Sequence, residues 1–154
     1  MIIRSTLFIV FFFFLVACGF KSVDQDYFKG YDIVANIKGD NRISYLLSNS
    51  LKKKSANSLD KILIDAKVKK NKNIKEKNIK NVITKYEINI SILITFRLLN
   101  ENKAGSFKIE KKGFYEVNDK HSITLNNEKK LIKSLVEQIS KQILNDLPLM
   151  VNDI

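Results

Sequence analysis

Residues 86–98 read Tyr-Glu-Ile-Asn-Ile-Ser-Ile-Leu-Ile-Thr-Phe-Arg-Leu, and this stretch decides the fold. Tyr86, Ile88, Ile90, Ile92, Ile94, Phe96 and Leu98 put a large apolar side chain at every second position. A helix would spread that pattern around its whole circumference, whereas a strand gathers it on one face. A strand with one apolar face needs neighbours to pair with and a layer to cover it. Residues 100–105 (NENKAG) form a turn, and the chain returns. Phe107, Ile109, Tyr115 and Val117 share one phase of the returning strand, with Lys108, Glu110, Lys112 and Glu116 on the other. Gly113 allows a bulge or bend. Lys111 falls in the apolar phase unless such a bulge shifts the register. Both strands are long, so this hairpin is expected to project beyond the sheet.

Outward from the hairpin the pattern alternates between strand and helix periods. Tyr31, Ile33, Ala35 and Ile37 alternate with polar or smaller residues and end at Gly39, a strand. Asp40 or Asn41 can cap a following helix whose Ile43, Leu46, Leu47, Ser50 and Leu51 make one stripe. Lys52, Lys53 and Lys54 close it where cations suit the helix dipole, and Asn57 and Ser58 break the chain. Ile62, Ile64, Ala66 and Val68 mark a second strand. Residues 69–80 are almost wholly Lys and Asn, with too few apolar side chains to pack. They read as a mobile connection or as a strand extension past the core. Residues 118–121 form a turn, Asn126 or Asn127 caps a last helix, and Pro148 ends it. Its stripe is Leu131, Ile132, Leu135, Val136, Ile139, Ile143 and Leu147.

The order is therefore β-α-β-β-β-α. The expected fold is α+β, a two-layer sandwich in which two helices cover one face of a four-stranded, mostly antiparallel sheet. The other face is polar, rich in lysine and open to water or a partner.

The N-terminus reads as an address. Arg4 precedes an unbroken apolar run over residues 7–16, LFIVFFFFLV. Ten residues suit a signal-peptide core and are too short to cross about 30 Å of hydrocarbon at about 1.5 Å per residue. Leu15-Val16-Ala17-Cys18 follows and resembles a bacterial lipobox, with the chain's only cysteine at the position that would be acylated. Gly19 after it, rather than Asp, favours the outer membrane by resemblance to known sorting behaviour. The expected organisation is a lipoprotein signal peptide over 1–17, a lipidated tether over 18–30 and one domain over 31–154. No cofactor is expected beyond the covalent lipid on Cys18.

The 154 residues hold one domain. They carry 27 Lys+Arg against 16 Asp+Glu, a net charge of +11. Of the cations 24 are Lys and only 3 Arg, beside 16 Asn and 21 Ile. That bias is what an AT-rich coding sequence produces, so part of the charge is compositional. Scarce Arg and the export signal both argue against a nucleic-acid partner. One Cys and one His exclude an internal disulfide and a zinc site built from these ligands alone. His121 sits in a turn beside Asp119 and Lys120. No nucleophile motif or phosphate-cradling glycine loop is present, and the chain is not expected to be an enzyme. Lysines 69, 70, 72, 75, 77, 80 and 85 could form an anion-binding arm or a solvated loop. Arg97, Lys103, Lys108, Lys111 and Lys112 give the hairpin a basic surface of the same standing.

Cys18-Gly19-Phe20 after the lipobox, Tyr86-Glu87-Ile88 opening the long strand, the Phe-bearing return strand and the terminal Gln142-Ile143-Leu144-Asn145-Asp146-Leu147 occur in a particular order. In that order and spacing, across the chain after the signal peptide, the sequence resembles the LPS-assembly lipoprotein family (LptE). The resemblance implies a plug inside the outer-membrane LPS translocon barrel (LptD). Such a plug helps the barrel fold and binds lipopolysaccharide on its way to the cell surface. Arg97, Lys103, Lys108, Lys111 and Lys112 are then the candidate lipopolysaccharide contacts, with Lys attracting phosphate. The rival reading is a lipid-anchored periplasmic binding module of another envelope complex, with no lipopolysaccharide role.

Overall fold

The computed structural model describes residues 31–52 and 60–152. Cys18, the signal peptide and the tether lie outside the described residues, as do Lys53, Lys54, Asn57 and Ser58. The element order is β1 (Tyr31–Lys38), α1 (Asn41–Leu51), β2 (Asp60–Lys77), β3 (Ile83–Leu98), β4 (Ala104–Glu116) and α2 (His121–Asn152). The four strands lie side by side in sequence order. β1 and β2 are parallel, joined by the α1 crossover, and the β2–β3 and β3–β4 pairs are antiparallel. This is the α+β arrangement that the hydrophobic periods imply.

The core follows the same periods. Ile88, Ile90, Ile92, Ile94, Phe96 and Leu98 are all buried on the helix-facing side of β3, beside Ile62, Ile64, Ala66 and Val68 of β2. Ile43, Leu47 and Leu51 of α1 close the core from above, together with Ile132, Leu135, Val136, Ile139, Ile143 and Leu147 of α2. Asp40 starts α1: its carboxylate accepts the Ile43 N–H at 3.1 Å, satisfying one of the donors a helix start leaves free.

Five local expectations are decided or changed. β2 does not stop at Val68 but continues to Lys77, so the Lys/Asn stretch is strand extension rather than mobile connection. It pairs with β3 throughout, Lys69 opposite Ser91 to Ile74 opposite Tyr86. The β2–β3 hairpin therefore overhangs β1, while the β3–β4 hairpin, expected to project, lies alongside β2 for most of its length. Gly113 makes no bulge, since β3–β4 register is unbroken from Lys85 opposite Glu116 to Arg97 opposite Ala104. Gly113 instead makes room for α2: a Cβ there would lie 2.7 Å from Leu131 Cδ1.

α2 starts at His121, ahead of the Asn126 or Asn127 expected to cap it, because a knot of short-range bonds replaces the side-chain cap. Thr124 Oγ1 accepts from the Asn118 N–H at 2.8 Å and donates to the Asn118 carbonyl at 3.0 Å. Asn127 turns back to donate to the Glu116 carbonyl at 3.2 Å. At the other end Pro148 does not stop the helix, which runs on to Asn152. A helix-interior proline costs about 3 kcal/mol. Here Leu147 and Val151, both buried, hold the last turn against the core.

Candidate functional site

Side chains on successive strands align where the register pairs them, about 4.8 Å apart. On the face away from the helices, one such rank crosses the whole sheet. Lys38 of β1 stands opposite Lys67 of β2, Lys67 opposite Leu93 of β3, and Leu93 opposite Lys108 of β4. The next rank is Lys69, Ser91 and Glu110, and the one after it Asn71, Asn89 and Lys112. Between them lies a shallow depression of about 570 Å³ lined by Lys67, Lys69, Asn71, Asn89, Ser91, Leu93, Lys108 and Glu110. Leu93, 47% exposed, puts an apolar spot in a cationic surround.

The depression is not uniformly basic. Lys108 is paired with Glu110 at 3.1 Å, and Asn89 Nδ2 also donates to Glu110 at 2.5 Å. The Asn89 bond first, and then Lys108, hold the Glu110 carboxyl below the usual carboxylate range. Asn89 Oδ1 is itself buried without a hydrogen-bond partner. By contrast Lys38, Lys67 and Lys69 make no ion pair with any described residue.

The five cations singled out from the hairpin do not form one group. Arg97, Lys108 and Lys112 share the open face, opposite Leu63, Leu93 and Asn89 respectively. Lys111 stands opposite Ile90 on the helix-facing side, because no bulge intervenes. Lys103 sits in the β3–β4 turn, 3.1 Å from Glu101 and 3.5 Å from the Val151 carbonyl near the end of α2. There it serves a helix C-terminus, where a cation is favourable. Lys38, Lys67 and Lys69 were not among the five. Their signal was present in the alternation of β1 and β2, which puts all three on the polar phase.

The even-numbered lysines of the β2 extension face the helices and are already engaged. Lys70 pairs with Asp40 at 2.9 Å and Lys72 with Glu128 at 2.7 Å. Tyr115 donates to the same Glu128 oxygen at 2.7 Å, and Lys72 Nζ lies 4.4 Å from the Tyr86 ring centre. Tyr86 and Tyr115 stack at 5.7 Å. Burial acts to raise the Glu128 carboxyl, but the Lys72 and Tyr115 hydrogen bonds outweigh it and hold Glu128 below its ordinary value. Burial likewise acts to lower Lys72, and Glu128 and Tyr115 outweigh it, so Lys72 is raised. Among the described residues no group of three His, Cys, Asp or Glu is placed to hold a metal ion, and no helix is long and apolar enough to cross a membrane. His121 is exposed at the first position of α2. The arrangement offers a cationic sheet face for binding.

No protein-family model matches the chain, and no curated protein sequence does. Solved structures do match. Rare lipoprotein B from Shewanella oneidensis superposes over 80% of this chain and 97% of its own, with TM-score 0.58 and 14% identity. A protein named as a lipoprotein from Caulobacter crescentus covers 84% of this chain and 95% of its own, with TM-score 0.56 and 13% identity. An uncharacterized lipoprotein B from Nitrosomonas europaea covers 80% and 84%, with TM-score 0.53 and 15% identity. The likeness is one of fold: the chain has the fold of the lipoprotein B structures.

Proposed function

Taking that fold as premise, we propose that this chain is an LptE-like outer-membrane lipoprotein. It is held on the periplasmic side by lipid on Cys18. It plugs an LptD-like LPS translocon barrel, assists its assembly, and binds lipopolysaccharide during insertion at the cell surface. The observation that carries the reading is the fold, shared over four-fifths of this chain with lipoprotein B structures, on a sequence whose sole cysteine follows a lipobox. The protein works by binding and not by catalysis.

The topology orients it. β1 enters the sheet at Tyr31, opposite Asp60, at the same end as the β3–β4 turn. The β2–β3 turn lies at the other end of an 18-residue strand, about 60 Å away at about 3.3 Å per residue. The Lys38–Lys67–Leu93–Lys108 rank lies between, offering charge to phosphates and an apolar spot to an acyl chain.

Purification from outer membranes tests the partner. A translocon barrel recovered at near-equal stoichiometry supports the reading. Recovery with a different envelope complex, and no barrel, replaces it by a lipid-anchored binding module without a lipopolysaccharide role. Cys18→Ala should abolish radiolabelled-palmitate incorporation and leave unprocessed precursor; normal labelling overturns the anchor. For the cargo, neutralising Lys38, Lys67 and Lys108 together should weaken lipopolysaccharide binding and flatten its salt dependence, since exposed charges are screened within about 8–10 Å at physiological ionic strength. An unchanged affinity and salt slope would show these lysines to be a solvated face only.

A further inference from the structure

β1 keeps its parallel register with β2 only as far as Lys38 opposite Lys67. There Gly39, at φ 129°, turns the chain away so closely over β2 that a Cβ would lie 2.1 Å from the Val68 carbonyl oxygen. β2 continues to Lys77, and its pairing with β3 stays regular through Ile74 before the register shifts near Glu76. Over residues 69–74 no described strand pairs with β2 on the β1 side. An unpaired edge presents backbone N–H and C=O groups to any extended chain. Six residues at about 3.3 Å each give an edge of about 20 Å, the length of an ordinary strand.

The charge beside this edge is unbalanced on one face only. On the helix side Lys70 and Lys72 are committed to Asp40 and Glu128. On the open side Lys38 and Lys67 stand in register, and Lys69 follows one open-face position further on. All three are exposed and ion-paired with no described residue. A strand added here would continue the row of β1, and its first open-face side chain, opposite Lys69, would lie among these three ammonium groups, with Asn71 and Asn73 beside the next two.

We infer that residues 69–74 are a docking edge for an extended acidic segment of another polypeptide, which adds to the sheet beyond the end of β1 and sets its leading open-face carboxylate among Lys38, Lys67 and Lys69. Main-chain hydrogen bonds would supply affinity and alternate side chains specificity. The same lysines select against other occupants. A second copy of this chain would bring its own lysines against them, and an apolar strand would leave them desolvated without partners. The inference goes beyond the lipoprotein reading and needs neither lipopolysaccharide nor the barrel.

The test uses the full chain in detergent and a labelled peptide of the same length as the edge, alternating glutamate with valine. Saturable binding by fluorescence anisotropy is expected, with slowed amide hydrogen exchange over residues 69–74. Lys67→Glu with Lys69→Glu, both at exposed positions, should leave the circular dichroism spectrum unchanged and weaken binding about tenfold or more, the equivalent of about 1.4 kcal/mol. A peptide N-methylated at every residue loses its backbone donors on both edges and should not bind. Several results overturn the inference. One is a methylated peptide that binds as tightly, which would mean a charge patch and no added strand. Another is equal binding by a lysine–valine peptide, or no binding at all. Protection of residues 69–74 that rises with protein concentration alone would assign the edge to a second copy. Protection by anionic phospholipid vesicles but not by the peptide would assign it to a lipid headgroup.

Discussion

β2 is one strand with two halves that meet different neighbours. In residues 60–68 the helix-facing side chains are Ile62, Ile64, Ala66 and Val68, all buried in the core, and β1 pairs along the outer edge. In residues 69–77 the same face carries Lys70, Lys72 and Ile74, and no described strand lies outside. Yet β3 beside this half is still fully apolar: Ile90 and Ile88 stand in register with Lys70 and Lys72 and are 0% exposed. The difference shows what holds a polar strand in place. Its backbone is paired by an apolar neighbour, and its cations meet carboxylates of both helices, Asp40 capping α1 and Glu128 two turns into α2. Asp40, at the N-terminus of α1, is also where the helix dipole favours an acidic residue. The near half is held by burial, the far half by directed polar contacts.

The comparison breaks or sharpens by mutation, the largest effect first. Ile64→Ala removes a fully buried side chain from the near half and should cost about 2–5 kcal/mol in a urea melt. A loss under 1 kcal/mol, on the order expected of a surface site, would show that the near half is not held by its core. Gly39→Ala acts at the border. A strained φ of 129° and a Cβ 2.1 Å from the Val68 carbonyl oxygen should together cost about 2–4 kcal/mol. A neutral result would mean the chain leaves β2 by another path.

Glu128→Gln tests the far half. It weakens the Lys72 pair and the Tyr115 bond, and should cost about 1 kcal/mol after allowing for the solvent screening of a lysine 39% exposed. Its pH dependence has a definite sign. Glu128 and Asp40 are held below the ordinary carboxylate value, Glu128 against burial by Lys72 and Tyr115, Asp40 against burial by Lys70 and the Ile43 N–H. Their stabilisation is therefore complete above the unfolded carboxylate pKa of about 4 and is lost as pH falls through the lower folded value. Lys72 is raised, so its share is complete below about 10.4 and is lost as pH rises through the folded value. Glu128→Gln should flatten both limbs of a stability–pH profile, and an unchanged acid limb would remove Glu128 from the account. The smallest effect is Ser91→Ala on the open face, expected within about 0.5 kcal/mol. A larger loss would mean that the open face is tied into the fold.

Much of this was legible in the chain. The phase of β3 places Ile88 through Leu98 correctly in the core, and the stripes of α1 and α2 predict most of the buried helix residues, with Leu46, Ser50 and Leu131 only partly buried and Ser140 and Val151 missed. Asp40 was one of two caps expected, and the structure selects it. Illegible features share one cause. The Lys/Asn stretch has no apolar period of its own, so its strand state depends on β3, which follows it in sequence. Pro148 reads as a stop because local geometry disfavours it, and only the burial of Leu147 and Val151 carries the helix past it. The candidate cations scatter for the same reason. Arg97, Lys103, Lys108, Lys111 and Lys112 are close in sequence, but the sheet separates them by phase and turn, and it brings Lys38, Lys67 and Lys69 together from two strands.

The sequence by itself determined which residues turn inward, because side-chain alternation in a strand and the 3.6-residue turn of a helix are properties of the local backbone. It also determined the order of elements and the two-layer class, since one-sided sheets and striped helices must cover each other. Only the tertiary structure decided that β1 and β2 run parallel, that β2 outlasts β1 by ten residues, from Lys67 opposite Lys38 to its end at Lys77, and which lysines stand in one rank. Those outcomes depend on hydrogen bonds and ion pairs between residues distant along the chain, whose energies no local period records.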